Sequence, residues 1–199
     1  MSTEALAHLR AGGVVAIATE SFFGLLADVE SAAAVTALFS LKPRGADKGV
    51  PLLLPDVSSW TRLVEVVPPT AERLASAFWP GGLSIALPAR VGVDARIALG
   101  GSVAVRIPGP SPALDLVRAF GRPLTATSAN LPGQPPACDD AAVHASFAAA
   151  VADGRLVVVS GTSPGGAPST IAVLDGAGLH IAREGAIPAA AVLAAAAAP

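Results

Sequence analysis

Residues 14–24 read Val14-Val15-Ala16-Ile17-Ala18-Thr19-Glu20-Ser21-Phe22-Phe23-Gly24, five aliphatic residues followed by an abrupt polar cluster. The first five are short and β-branched in character, which suits a buried strand. Thr19, Glu20 and Ser21 then place two hydroxyls and a carboxylate at the strand end, a common position for ligand groups in α/β sheets. The local alternative is a turn in which Thr19 and Ser21 bond nearby backbone.

The flanking sequence repeats this strand-then-polar pattern with helices between. Thr3 to Ala11 has helical spacing, with Ser2 or Thr3 as cap and Gly12 as stop. Ser31 caps a helix to about Ser40, ended by Lys42-Pro43. Val50 to Leu54 is expected as a strand, and Ser58–Val64 and Thr70–Phe78 as helices, the second entered through Pro68-Pro69. Trp79-Pro80-Gly81-Gly82 makes a turn into a strand over Leu83–Leu87, with Trp79 assigned to packing. In Ser102 to Ile107, alternation puts Ser102, Ala104 and Arg106 on one face. A buried Arg there needs an anion or a carboxylate partner. Pro112 to Phe120 is an amphipathic helix closed by Gly121. Leu124 to Ala126 is a strand running into Thr127-Ser128-Ala129-Asn130. Asp139 or Asp140 starts a helix to about Val151, and Leu156 to Val159 is a strand. Ser160 to Pro168 is a loop. Ser169–Leu174 and His180–Arg183 flank a hairpin turn at Asp175-Gly176-Ala177-Gly178. The expected organisation is one mixed α/β domain over residues 1–199, with an Ala-rich surface helix or tail from about 188.

Composition narrows the function classes. The chain has 199 residues, 52% hydrophobic and 14% charged, so it has material for a sizeable core. The Ala189–Ala198 run is too short to span a bilayer, and the N-terminus lacks a basic-then-apolar leader, so a soluble cytoplasmic protein is expected. The single cysteine, Cys138, rules out an internal disulfide. His8, His144 and His180 have no ligand spacing, and no metal site is expected. A net charge of −2 argues against broad nucleic-acid binding.

Against that background the cations are concentrated. The chain's two lysines, Lys42 and Lys48, fall in Leu41–Pro51 (LKPRGADKGVP) with Arg44 between them. This reads as a solvent-facing Gly/Pro loop for a polyanion, most naturally a triphosphate. With Thr19–Ser21, Ser102/Arg106, Ser128–Asn130 and Ser169-Thr170 plus Arg183, it gives five polar clusters at or near strand ends. Small hydroxyls, one amide and several cations without a nucleophilic His or Cys do not suit acyl-enzyme chemistry. They suit nucleotidyl transfer, in which positioning, charge neutralisation and Mg²⁺ do most of the work. Neither a Walker loop nor a Rossmann fingerprint is present.

The segments GGVVAIATESFFGLLAD, LKPRGADKG, FWPGGLSIALP, SVAVRIP, GRPLTATSANLPGQPP, PSTIAVLD and IAREGAI occur in the order found in the YrdC-like family, the threonylcarbamoyl-AMP synthases. The chain resembles that family over nearly its whole length. The resemblance implies a twisted mixed sheet flanked by helices around a cationic cavity, in the short form without an extra C-terminal domain. It further implies the reaction of L-threonine, bicarbonate and ATP to threonylcarbamoyl-AMP and pyrophosphate, an intermediate for tRNA threonylcarbamoyladenosine. By motif, Lys42, Arg44 and Lys48 hold the ATP phosphates, and Ser102, Asn130 and Arg183 contact the nucleotide. Ser21, Arg106, Ser128 and Ser169 take the threonine, with Lys42, Arg44 and Ser128 at the reaction centre. Transfer to tRNA implies separate partner proteins. Three positions depart from the family pattern: Ala18 replaces a frequent Pro, Phe23 a frequent Tyr near the expected threonine pocket, and Pro110-Ser111 a frequent His-Pro. Two alternatives stand beside this reading. One is a paralogue making a different carbamoyl or aminoacyl adenylate; the other is an RNA-binding module with little catalysis, which would spread its cations over an outer face.

Overall fold

The computed structural model describes residues 2–42 and 49–197. The first helix, α1 (Thr3–Arg10), is capped by Ser2 Oγ, which accepts the Ala5 amide at 3.2 Å, and it buries Ala5, Leu6 and Leu9. Strands β1 (Val14–Ala18) and β2 (Phe23–Leu26) are buried along their whole length and pair antiparallel, Val15 with Leu26 through Ala18 with Phe23. Ser31 caps α2 (Ala32–Leu41), whose C-cap residue is Lys42. Then follow β3 (Leu52–Leu53), a 3-10 turn over Val57–Arg62, α3 (Pro69–Phe78), β4 (Leu83–Pro88) and β5 (Ser102–Arg106). Helix α4 (Pro112–Phe120) stops at Gly121, whose φ of 77° is the left-handed conformation that a helix C-terminus favours in glycine. The chain continues through β6 (Leu124–Thr125), β7 (Thr127–Ser128), α5 (Asp140–Ser146), α6 (Ala148–Ala152), β8 (Leu156–Val158), β9 (Thr170–Asp175), β10 (Gly178–Arg183) and α7 (Ala189–Ala197).

These strands form two mixed sheets, one ordered β7-β2-β1-β8 and the other β10-β9-β4-β5-β3-β6. The parallel pairs are β1 with β8, β3 with β5, and β4 with β9. Residues 124–128 belong to both sheets. Leu124 and Thr125 pair with β3, while Thr127 and Ser128 pair with β2. Between them Ala126 donates its amide to Pro51 O at 2.8 Å. Thr125 closes the seam on the other side: its amide reaches Ala27 O at 2.9 Å, its Oγ1 accepts the Ala27 amide at 2.9 Å, and that hydroxyl donates to Leu25 O at 3.2 Å. Both sheets therefore grow from one short, largely buried segment.

Most expected elements are observed, and several differ, the helix expected over Ser58–Val64 being a 3-10 turn. The strand expected over Val50–Leu54 is paired only at Leu52 and Leu53. The helix expected through Val151 breaks at Phe147, which leaves helical dihedrals (φ −123°, ψ 28°) and buries its ring. Strand β2 was not expected. The Ala-rich end is helix α7, packed on α3 through the buried Val192, with Arg73 Nη2 donating to Ala196 O at 2.9 Å. Among the described residues, no helix is long and apolar enough to cross a membrane.

Replacing Thr125 by Val keeps the shape of the side chain but strands the buried Ala27 amide. Urea unfolding of Thr125→Val should show a stability loss of about 1–3 kcal/mol at an unchanged denaturant slope. A smaller loss would show that the seam hydroxyl is dispensable.

Candidate active site

The described site residues fall into two groups, both where the two sheets meet. The first is built on Lys42. Its position at the C-cap of α2 sets the ammonium beside the negative end of the helix dipole. Nζ donates to Ser128 O at 2.6 Å, Ser128 Oγ at 3.0 Å and Asn130 Oδ1 at 2.9 Å. Ser128 Oγ in turn donates to Asn130 Oδ1 at 2.6 Å, and Asn130 Nδ2 donates to Gln134 O at 2.5 Å. Three acceptors face a group with three N–H donors, which lets an ammonium sit where water hardly reaches. Lys42 is only 8% exposed. Lys42, expected in a solvent-facing loop, is instead carried inward onto the seam strand by the helix. Arg44 and Lys48 lie outside the described residues. At the far end of that segment, Gly49 lies against Leu99, and Leu99 bridges to Ser102.

The second group centres on Arg106 at the end of β5. Its side chain is 7% exposed, and Nη1 forms an ion pair with Glu20 Oε1 and donates to Gly81 O at 3.3 Å. Glu20 comes from the β1–β2 turn, so this ion pair also joins the two sheets. The carboxylate partner that a buried Arg requires is therefore present. Gly109 packs against Glu20, a β-carbon there falling 3.3 Å from Glu20 Cγ. Next along β4, Ser84 Oγ donates to Ser169 Oγ at 3.0 Å. Arg183 reaches the same serine, through Nε at 3.0 Å and Nη2 at 2.7 Å to its carbonyl and through Nη2 at 3.2 Å to its hydroxyl. Partial burial, with a smaller effect from the neighbouring Arg106 charge, lowers the Arg183 pKa from the usual guanidinium value.

Thr170 fixes this corner. Its Oγ1 accepts the amides of Gly185 at 2.9 Å and Ile187 at 3.0 Å and donates to Ile187 O at 2.6 Å. The 183–187 segment crosses so closely that a β-carbon on Gly185 would lie 2.1 Å from Pro168 O, which only glycine avoids.

The structure thus brings together Lys42, Ser128 and Asn130, and separately Arg106, Ser169 and Arg183. Ser102 stands at the opposite end of β5 from Arg106, on a face that is half-exposed at Ser102 and Ala104 and buried at Arg106. Ser21 sits in the local turn that the sequence also allowed: Thr19 Oγ1 accepts the amides of Ser21 and Phe22 and donates to Phe22 O at 2.7 Å. The Ser21 carbonyl accepts the Gly165 amide at 2.8 Å, so the Ser160–Pro168 loop is fastened across this turn. Phe23 is fully buried in the core, so its departure from Tyr changes packing and not an exposed pocket wall. Ser84 was missed because it sits inside an aliphatic strand; only its alternation with Leu83 and Ile85 distinguishes it. A separate apolar pocket of about 300 Å³, lined by Val66, Pro68, Leu87, Leu174 and Leu179 among others, contains none of these residues.

Comparison with known proteins places this arrangement. Residues 7–185 match the Sua5/YciO/YrdC family, described as "Telomere recombination". A threonylcarbamoyl-AMP synthase of Stenotrophomonas maltophilia is 42% identical over 139 residues, covering 67% of this chain and 73% of the relative. One of Bacillus subtilis is 35% identical over 84% of this chain and 48% of its own. Among solved structures, P. abyssi Sua5 complexed with L-threonine superposes with a TM-score of 0.86 at 31% identity, covering 96% of this chain and 56% of that one. The chain therefore spans little more than half of that Sua5.

Lys42→Met keeps the aliphatic stem and removes the ammonium from its three acceptors. Chemical denaturation should show a loss of about 1–3 kcal/mol, as befits charge-assisted hydrogen bonds. An unchanged midpoint would mean that Lys42 contributes nothing to the fold.

Proposed function

The chain belongs to the Sua5/YciO/YrdC family, and from that premise we propose that it is a threonylcarbamoyl-AMP synthase acting in tRNA threonylcarbamoyladenosine synthesis. The observation that carries the reading is the division of the site into two groups at the junction of the sheets. One group is an ammonium held among a hydroxyl, a carbonyl and an amide (Lys42, Ser128, Asn130). The other is a guanidinium pair flanking two serine hydroxyls (Arg106 and Arg183, Ser84 and Ser169). The first suits a polyphosphate chain, and the second suits a carboxylate.

In this proposal Lys42, Arg44 and Lys48 hold the ATP phosphates, and Ser102 and Asn130 contact the nucleotide. Arg106 receives the threonine carboxylate with Ser21 and Ser169, and Ser128 lies between the substrates. Arg183, bonded to Ser169, stands where the two substrates meet. The threonine amine bonds to the carbon of bicarbonate with loss of water, giving a carbamate. A carbamate oxygen then bonds to the α-phosphorus as the bond to pyrophosphate breaks. The cations stabilise charge that builds on the departing pyrophosphate. Magnesium enters as part of the Mg-ATP substrate. The described residues include no group of three or more His, Cys, Asp or Glu side chains that would hold a resident ion. We further propose that the chain acts in the cytoplasm as one domain, and that separate proteins pass the product to tRNA.

Pyrophosphate release from Mg-ATP should require both L-threonine and bicarbonate. Arg44→Ala should reduce it at least about a hundredfold, as loss of a transition-state charge contact does. Release supported equally by other amino acids would favour the paralogue. Salt-sensitive RNA binding without turnover would favour the binding module.

A further inference from the structure

Around Arg106 the charges do not cancel. Arg106 and Arg183 lie on either side of the Ser84–Ser169 hydroxyl pair, Arg183 touching Ser169 and Arg106 standing on β5 beside the strand that carries Ser84. Among the described residues, the salt bridges include one carboxylate on this pair, Glu20. It meets Arg106 through one oxygen on one nitrogen, Nη1, while its other oxygen, Oε2, is buried and without a hydrogen-bond partner. A carboxylate placed to lock a buried Arg would use both oxygens in a forked pair. Here one oxygen suffices to neutralise Arg106, and the second is held in place at a cost. The counter-ion is thus kept for its charge more than for its hydrogen bonds.

We propose that Glu20 is a specificity-determining residue: it lowers the charge of the Arg106–Arg183 pair to +1, so that the pair accepts a monoanionic carboxylate and rejects a phosphoryl dianion. This rests on the function proposed above. A site that takes both a polyphosphate and an amino acid must keep free phosphate, and the pyrophosphate it releases, from occupying the amino-acid position. Two bare guanidiniums would be a good phosphate trap. Glu20 acts through Arg106 and not on the substrate, and the two charges of opposite sign reach the same position from the β1–β2 turn and from β5.

The test is calorimetric titration of L-threonine into the full chain, with and without inorganic phosphate, at a mildly alkaline pH where phosphate is a dianion. Wild-type affinity for threonine should be insensitive to phosphate. Glu20→Gln should still bind threonine without phosphate, but phosphate should weaken that binding by about tenfold or more. Adding Arg183→Gln to Glu20→Gln returns the pair to +1 and should restore resistance to phosphate; Glu20→Asp, which keeps the charge, should never lose it. Threonine binding lost in Glu20→Gln without phosphate, or competition absent in that variant, would overturn the proposal and leave Glu20 as a structural partner of Arg106. A wild-type chain that binds no threonine would instead overturn the functional reading on which it rests.

Discussion

The hydroxyl of Thr125 accepts the Ala27 amide at 2.9 Å and donates to Leu25 O at 3.2 Å, in a place where no solvent is available to replace either bond. Those two bonds tie the strand shared by both sheets to β2, while Ala126 ties it to Pro51. Every later feature of the site inherits its position from this seam. Ser128 and Asn130 leave its C-terminal end, and Lys42 can be buried only because they are there to receive it. The cross-sheet ion pair of Glu20 with Arg106 is a second bridge over the same junction.

Burying Lys42 and Arg106 in an aliphatic chain carries a desolvation penalty that only good partners offset. The two residues meet it differently. Lys42 donates to neutral acceptors, the carbonyl and hydroxyl of Ser128 and the amide oxygen of Asn130, at the C-terminus of α2. Arg106 relies on a carboxylate, which cancels its charge and leaves a smaller net attraction with Arg183. The two buried cations are thus held by different kinds of partner, neutral oxygens in one half of the site and a carboxylate in the other.

The strands and helices were legible wherever one periodicity and a stop signal coincided. Val14–Ala18 and the helix closed by Gly121 are such cases, and both have the expected bounds. Strand β2 was not legible, because Phe23–Leu26 is four residues with no alternation and directly follows a polar turn; its pairing with β1 and the seam decides it. The sequence grouped the site by residue type and placed every cluster near a strand end, but it could not give depth. Lys42 looks solvent-facing beside Pro43, and only the run of α2 into the seam shows that it is buried. Glu20 reads in the sequence as a carboxylate at a strand end, and only its contact with Arg106, 86 positions away, shows it as the partner of that guanidinium.

Four further arginines bear on which class of anion the protein meets. Arg62 pairs with Glu30 at 2.6 Å, Arg96 with Asp94 at 2.5 Å, Arg122 with Asp28 at 2.8 Å and Arg155 with Asp153 at 3.1 Å, and the arginine of each pair is more than two-fifths exposed. Hydrogen bonds from Arg62 and Arg96 hold Glu30 and Asp94 below the usual carboxylate range, so these carboxylates stay charged and keep those cations neutralised at physiological pH. A surface built to track a nucleic-acid backbone would leave its outer cations bare to displace counter-ions from the phosphates. Here four outer arginines are paired with neighbouring carboxylates, while inside the site Arg106 and Arg183 have between them the carboxylate of Glu20, which pairs with Arg106. Pairing of those outer cations, with net positive charge left around Arg106 and Arg183, favours capture of a small anion over tracking of a nucleic-acid backbone.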